Sequence, residues 1–159
     1  MTRHILVLCS GNVCRSPLAA ALLARDLSDK TVGSAGLAAP VGAPADPMTI
    51  EFAAGHGLDL SAHRARHVTF AMCRAADLIL VMEQGHKAEL RRRYPQVWGK
   101  VFRLGEAGGF DIADPYRKPR KAFEAACTDV ATGAAAWAGR IRQLERSRSR
   151  PQPSAVHCE

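Results

Sequence analysis

Long apolar runs are missing from this chain of 159 residues. The first, at 5–9, is shorter than the core of a secretory signal, and no stretch approaches the roughly 20 residues that cross a bilayer. Cysteine is present without a framework: there are five, an odd number, with no regular spacing and no second close pair. That pattern excludes a secreted disulfide scaffold, and with no membrane insertion expected it points to the cytoplasm. Aromatics make up only 6% and no nucleic-acid-binding motif is recognisable, which argues against nucleic acid as a partner. Acidic residues are in deficit, 15 against 22 Lys and Arg, so an anionic substrate is favoured. Part of that excess lies in the Arg, Ser and Pro stretch at 147–159, read as a disordered tail following a domain at 1–146.

What remains is an alternation of strands and helices. "HILVLC" reads as a buried strand, "TVGSAG" as a weaker second, "DLILVM" as the clearest, and "KVFRL" as a fourth. Helices are expected from Ser16 as N-cap with Pro17 at the first helical position, from Pro47 to Gly55 or Gly57, over 84–94, and over 121–145. "SAHRARHV" and "FAMCRAA" suggest short helical pieces. The expected fold is a single α/β domain of three layers: a central four-stranded parallel sheet with helices on both faces. No internal repeat is apparent.

The chemistry concentrates in "CSGNVCRSP", 9–17. A loop leaving the end of a buried strand and entering a helix collects free amides and the positive end of the helix dipole, which suits an anion. Gly11 can take positive φ, and Asn12 tolerates the left-handed region, so Ser10, Gly11, Asn12, Val13, Cys14, Arg15 and Ser16 can curl around phosphate oxygens. Arg15 can add two parallel hydrogen bonds. Cys9 at the base of this cage would feel both the dipole and the guanidinium, which favour a nucleophilic thiolate. A zinc clip would need two further ligands and would be repelled by Arg15, so no metal and no cofactor are expected. Taken singly, Cys9 and Cys14 read as packing residues; the combination with Gly11, Asn12, Arg15 and Ser16 overrides that reading.

Cys-x5-Arg-Ser near the N-terminus resembles the phosphate loop of low-molecular-weight protein-tyrosine phosphatases. "SAGL" after the second strand, "DLILVME", and the distant "DPY" match the same family, over roughly residues 3–145. "SAGLAAPVGAPADP" and "ADPYRKPRKAF" most resemble its bacterial branch, which acts on tyrosine autokinases of polysaccharide export. The resemblance implies Cys9 as nucleophile, Arg15 as phosphate clamp, Ser16 as hydrogen-bond donor to the thiolate, and Asn12 as a loop-shaping residue. It makes Asp114 the general acid, not the nearby Asp111, which does not match. Tyr116 then lines the pocket mouth, with Arg117 where relatives often carry a second aromatic. Ala39 and Pro40 form the other wall, where relatives are bulkier, so an open mouth is expected. Ala20 replaces a glutamate common in relatives. Cys14 is implied to be a redox guard, capturing oxidised Cys9 as a disulfide.

Other readings are weaker. A thioredoxin-coupled arsenate reductase of the same fold would need cysteines at the positions of Glu83 and Leu90, and 74–126 contains none. A non-catalytic phosphate-binding module would be expected to have lost Cys9, Arg15 or Asp114. Arg117, Lys118, Arg120 and Lys121 beside the acid could attract an acidic substrate segment or could be a solvated face. His63, Cys73 and Cys127 read as structural.

Overall fold

β1 (His4–Cys9) is buried at every position after its first residue, as a central strand must be. The computed structural model describes residues 1–150. β2 (Thr31–Gly36) and β3 (Leu78–Val81) flank β1 in parallel, and β4 (Val101–Arg103) pairs with β3, giving the order β2-β1-β3-β4. The period-2 alternation of β1 splits the core between two faces. Ile5, Val7 and Cys9 join the side covered by α1 (Arg15–Asp26), α2 (Pro47–Gly55) and α5 (Arg120–Ser149), with Leu18, Leu23, Val130 and Ile141. Leu6 and Leu8 join the side covered by α3 (Phe70–Ala75) and α4 (Gln84–Arg93), with Cys73, Ile79 and Leu90. The three-layer parallel arrangement is the one expected. The direction in which strands are added to the sheet reverses between β1 and β3, and the crevice at such a switch point is where open parallel sheets place their ligands. No helix among the described residues is long and apolar enough to cross a membrane.

Three local expectations need correction. α1 begins at Arg15 with Cys14 at its cap and no side-chain capping bond, so Ser16 lies inside the first turn. Its hydroxyl is engaged elsewhere, as described below. "SAHRARHV" is not helical: Gly36 N–H bonds to Arg66 O at 2.9 Å, and Val68 N–H to Gly36 O at 2.9 Å. Backbone pairing with the end of β2, an isolated parallel bridge at His67, outcompetes the local helical tendency. Finally, α5 runs through Ser149, past the boundary read at 146. The rest of the expected tail, 151–159 with Cys158, lies outside the described residues.

Candidate active site

The curled loop between β1 and α1 is held from within by Asn12, which is fully buried with φ +54. Its amide nitrogen donates to Ser16 Oγ at 2.9 Å and to Ser34 Oγ at 3.0 Å, and its Oδ1 accepts from Arg66 N–H at 3.0 Å. His63 Nε2 meets the Asn12 carbonyl at 2.7 Å. Asn12, not Gly11, therefore takes the left-handed backbone, since Gly11 has no positive φ. The short amide side chain can adopt that conformation and, at once, brace the loop from inside.

Two donors face the nucleophile candidate. Asn12 N–H lies 3.2 Å from Cys9 Sγ, and Ser16 Oγ lies 2.9 Å from it. Ser16 Oγ accepts from Asn12 and also lies 3.5 Å from Ala35 O; when Cys9 is a thiolate, the hydroxyl can turn its proton to the sulfur. Among the described residues, the amides of Gly11, Val13, Cys14 and Arg15 have no protein acceptor. They sit at the start of α1, where the helix dipole favours an anion. Gly36 lets β2 pass close behind: a Cβ there would meet Ser10 O at 2.6 Å. That contact explains the glycine of "SAGL".

Arg15 is 2% exposed. Its Nη1 donates to Ile112 O at 2.7 Å and to Glu83 Oε1, which leaves the Nε–Nη2 edge of the guanidinium for a ligand. Asp114 Oδ2 stands 3.6 Å from Nη2, and Asp114 Oδ1 accepts from Tyr116 N–H at 3.1 Å. Asp111 is occupied elsewhere, accepting from Gln84 N–H at 3.2 Å and from Arg103 Nη1 at 3.1 Å. It anchors the acid-bearing segment to the start of α4. A cavity of about 300 Å³ is lined by Cys9, Ser10, Gly11, Val13, Cys14, Arg15, Ala38, Pro40, Asp114 and Tyr116. Ala39 is not among the lining residues. Its methyl packs over Gly36, and Ala38 takes the wall position instead. Tyr116 is 65% exposed, at the mouth.

Two residues at this site escaped the sequence reading, Glu83 as a partner of Arg15 and His86. Glu83 lies two residues past the end of β3, the strand neighbouring β1, and that position was the available signal. His86 Nε2 lies 2.9 Å from Ser10 Oγ. Burial first, and then the charge of Arg15, hold this imidazole below its ordinary value, so the neutral ring is favoured. Cys14 also carries a surprise. The neighbouring thiol of Cys127 on α5, together with burial, pushes it up. Cys14 in turn draws Cys127 down. Cys73 lies in the opposite core layer, pushed up to about 11 by burial. Ala20 is buried against the core and contributes no polar group behind the loop.

Phosphoryl transfer through sulfur is the chemistry that uses all these parts, which defines the class as cysteine-dependent phosphatases. Residues 4–150 match the family described as low molecular weight phosphotyrosine protein phosphatase, and the chain belongs to that family. It is 51% identical over 144 residues to "Probable low molecular weight protein-tyrosine-phosphatase EpsP" of Ralstonia nicotianae, covering 91% of this chain and 99% of that protein. It is 48% identical over 139 residues to the low molecular weight protein-tyrosine-phosphatase Wzb of Salmonella typhimurium, covering 87% and 93%. Among solved structures, Wzb of Escherichia coli K30 in complex with sulphate is similar at a TM-score of 0.85 and 38% identity, covering 89% and 99%. The YwlE arginine phosphatase of Geobacillus stearothermophilus is similar at 0.85 and 30%, covering 95% and 99%.

Proposed function

We propose that this protein acts in the cytoplasm and removes phosphate from phosphotyrosine in a protein substrate, a tyrosine autokinase of polysaccharide export. The observation that carries this reading is the convergence of Cys9, Arg15 and Asp114 on one cavity, with Cys9 Sγ facing two donors. The autokinase assignment draws on the loop sequences around Pro40 and Tyr116, which resemble the bacterial branch of the family. Glu83 occupies a position where a reductase of this fold would carry a thiol, and it pairs with Arg15 instead.

In the first step the Cys9 thiolate attacks phosphorus in line with the tyrosyl oxygen. The P–O bond breaks while Arg15 and the loop amides hold the equatorial oxygens. Asp114 gives its proton to the departing phenolate, releasing tyrosine and leaving phosphocysteine. In the second step Asp114, now a carboxylate, takes a proton from water. The resulting P–O bond displaces the sulfur, returning thiolate and inorganic phosphate. Cys14 is the proposed redox guard: a hydroperoxide converts Cys9 to sulfenic acid, and the Cys14 thiol condenses with it, releasing water and forming a disulfide. The four described cysteines are all free and buried, which suits a reducing compartment.

The test is turnover of aryl phosphates and of matched phosphotyrosine, phosphoserine and phosphoarginine peptides, with chelator present. Cys9→Ser should abolish turnover. Asp114→Asn should slow it by about 10²–10⁴-fold, more for poor phenol leaving groups than for good ones. A metal requirement, or equal rates on the three phosphorylated residues, would refute the proposal.

A further inference from the structure

The segment bearing Asp114 and Tyr116 contains a non-glycine residue in a left-handed turn position. Arg117 has φ +56, in the left-handed region that favours glycine and asparagine. The turn from Pro115 to Lys118 calls for that conformation at its third position, where glycine or asparagine is usual, so an arginine there is placed against local preference. The guanidinium lies over the Tyr116 ring, 5.2 Å from its centroid. That stacking holds the charge at the mouth of the cavity instead of letting it trail into solvent. A turn from Lys118 N–H to Pro115 O, at 3.0 Å, fixes the segment that carries both.

The charges around this mouth are lopsided. Among the described residues, neither Arg117 nor Lys118 has a carboxylate within ion-pair distance, whereas Arg120 is taken up by Glu51 and Glu124. Asp114 is the one carboxylate lining the cavity, and it stands beside Arg15. The facing wall, Ala38 and Pro40, carries no charge, and Val41 beyond it is 73% exposed. One rim is thus basic and uncompensated; the other is apolar and small.

We infer that Arg117 is a specificity-determining residue, selecting phosphotyrosines that have an anionic side chain a few residues away in the same chain. The inference rests on the cavity taking phosphotyrosine. With the substrate ring against Tyr116, the neighbouring peptide runs past the stacked guanidinium, and an acidic side chain there meets an unpaired cation. A rim charge of this kind changes affinity by roughly two- to fivefold and is weakened by salt. Lys118 adds a second, more mobile charge of the same sign.

The experiment uses one phosphotyrosine peptide in three forms, with two flanking positions Asp, Asn or Lys, plus the phosphoserine counterpart of the Asp form. The enzymes are the wild type, Arg117→Gly and Arg117→Lys. Glycine accepts the observed φ, so the variant removes the charge without refolding the segment. In the wild type, kcat/KM should rank Asp over Asn over Lys. The Asp form should lead the Lys form by about tenfold, mostly through KM, with the gap closing as salt rises. Arg117→Gly should shrink the gap to about threefold or less, and Arg117→Lys should keep most of it. Equal rates on the three phosphotyrosine peptides, or a gap untouched by Arg117→Gly, would overturn the assignment while leaving phosphotyrosine hydrolysis intact. No turnover of any phosphotyrosine peptide beside turnover of phosphoserine would overturn both.

Discussion

Replacing Glu83 by alanine takes a partner from a guanidinium that is 2% exposed. Arg15 would keep its bond to Ile112 O and the neighbouring Asp114 carboxylate, so it would not be left bare. Breaking a fully buried pair costs about 3–5 kcal/mol, but Glu83 is one-third exposed and water can take its place. The lower range for orphaning a charged hydrogen-bonding group, about 1–3 kcal/mol, is the better guide, and about 2 kcal/mol is expected. For a chain of this length that is a fall in Tm of roughly 4–8 °C. Two effects on phosphate binding oppose each other. Losing the negative charge leaves Arg15 less neutralised, which favours an anion; losing the anchor lets the Nε–Nη2 edge rotate away from it. Glu83→Gln separates them, since it keeps the acceptor and removes the charge. Inhibition by inorganic phosphate should weaken about tenfold in Glu83→Ala and stay level or strengthen in Glu83→Gln. The assay is thermal unfolding beside steady-state kinetics with phosphate as competitive inhibitor. Wild-type Tm and wild-type phosphate inhibition in Glu83→Ala would show that this pair does not position Arg15.

Two further outcomes can be checked. His86 is held below its ordinary value in the folded state, so the unfolded chain binds the extra proton first as pH falls. Its contribution is intact above about pH 6.5 and is lost progressively below that, toward its folded-state value. Urea midpoints measured between pH 5 and 7.5 should therefore decline with acid less steeply in His86→Gln than in the wild type, and parallel curves would contradict this. The Cys14 thiol that would capture oxidised Cys9 is influenced by its neighbour Cys127. Cys127→Ser should consequently alter the rate of peroxide inactivation reversed by dithiol, and Cys14→Ser should make that inactivation irreversible. Mass spectrometry finding no Cys9–Cys14 link in the wild type would remove the guard role from Cys14.

Much of this protein could be read from local pattern. The strands are short apolar runs, and their burial on both faces requires helices above and below. Cys9, Asn12, Arg15 and Ser16 lie within eight consecutive residues, so their chemistry is visible as a string. Even there, local rules misplace details. Ser16 looks like a helix cap by composition, but the sulfur of Cys9 claims its hydroxyl. Gly11 looks like the residue that must turn, but Asn12 turns because its side chain has three partners, Ser16, Ser34 and Arg66, while its backbone carbonyl meets His63.

The sequence by itself determined where the strands lie along the chain, the phosphate-binding character of the first loop, and the identity of the candidate nucleophile, because each depends on near neighbours. Only the tertiary structure decided how Arg15 is aimed, since its partners stand 68 and 97 residues away. It also put Ala38 rather than Ala39 on the cavity wall, set Cys127 against Cys14, and stacked Arg117 on Tyr116 at the mouth. Parallel strands joined by long crossovers bring remote segments to one edge of the sheet, and no periodicity along the chain records which side chains meet there.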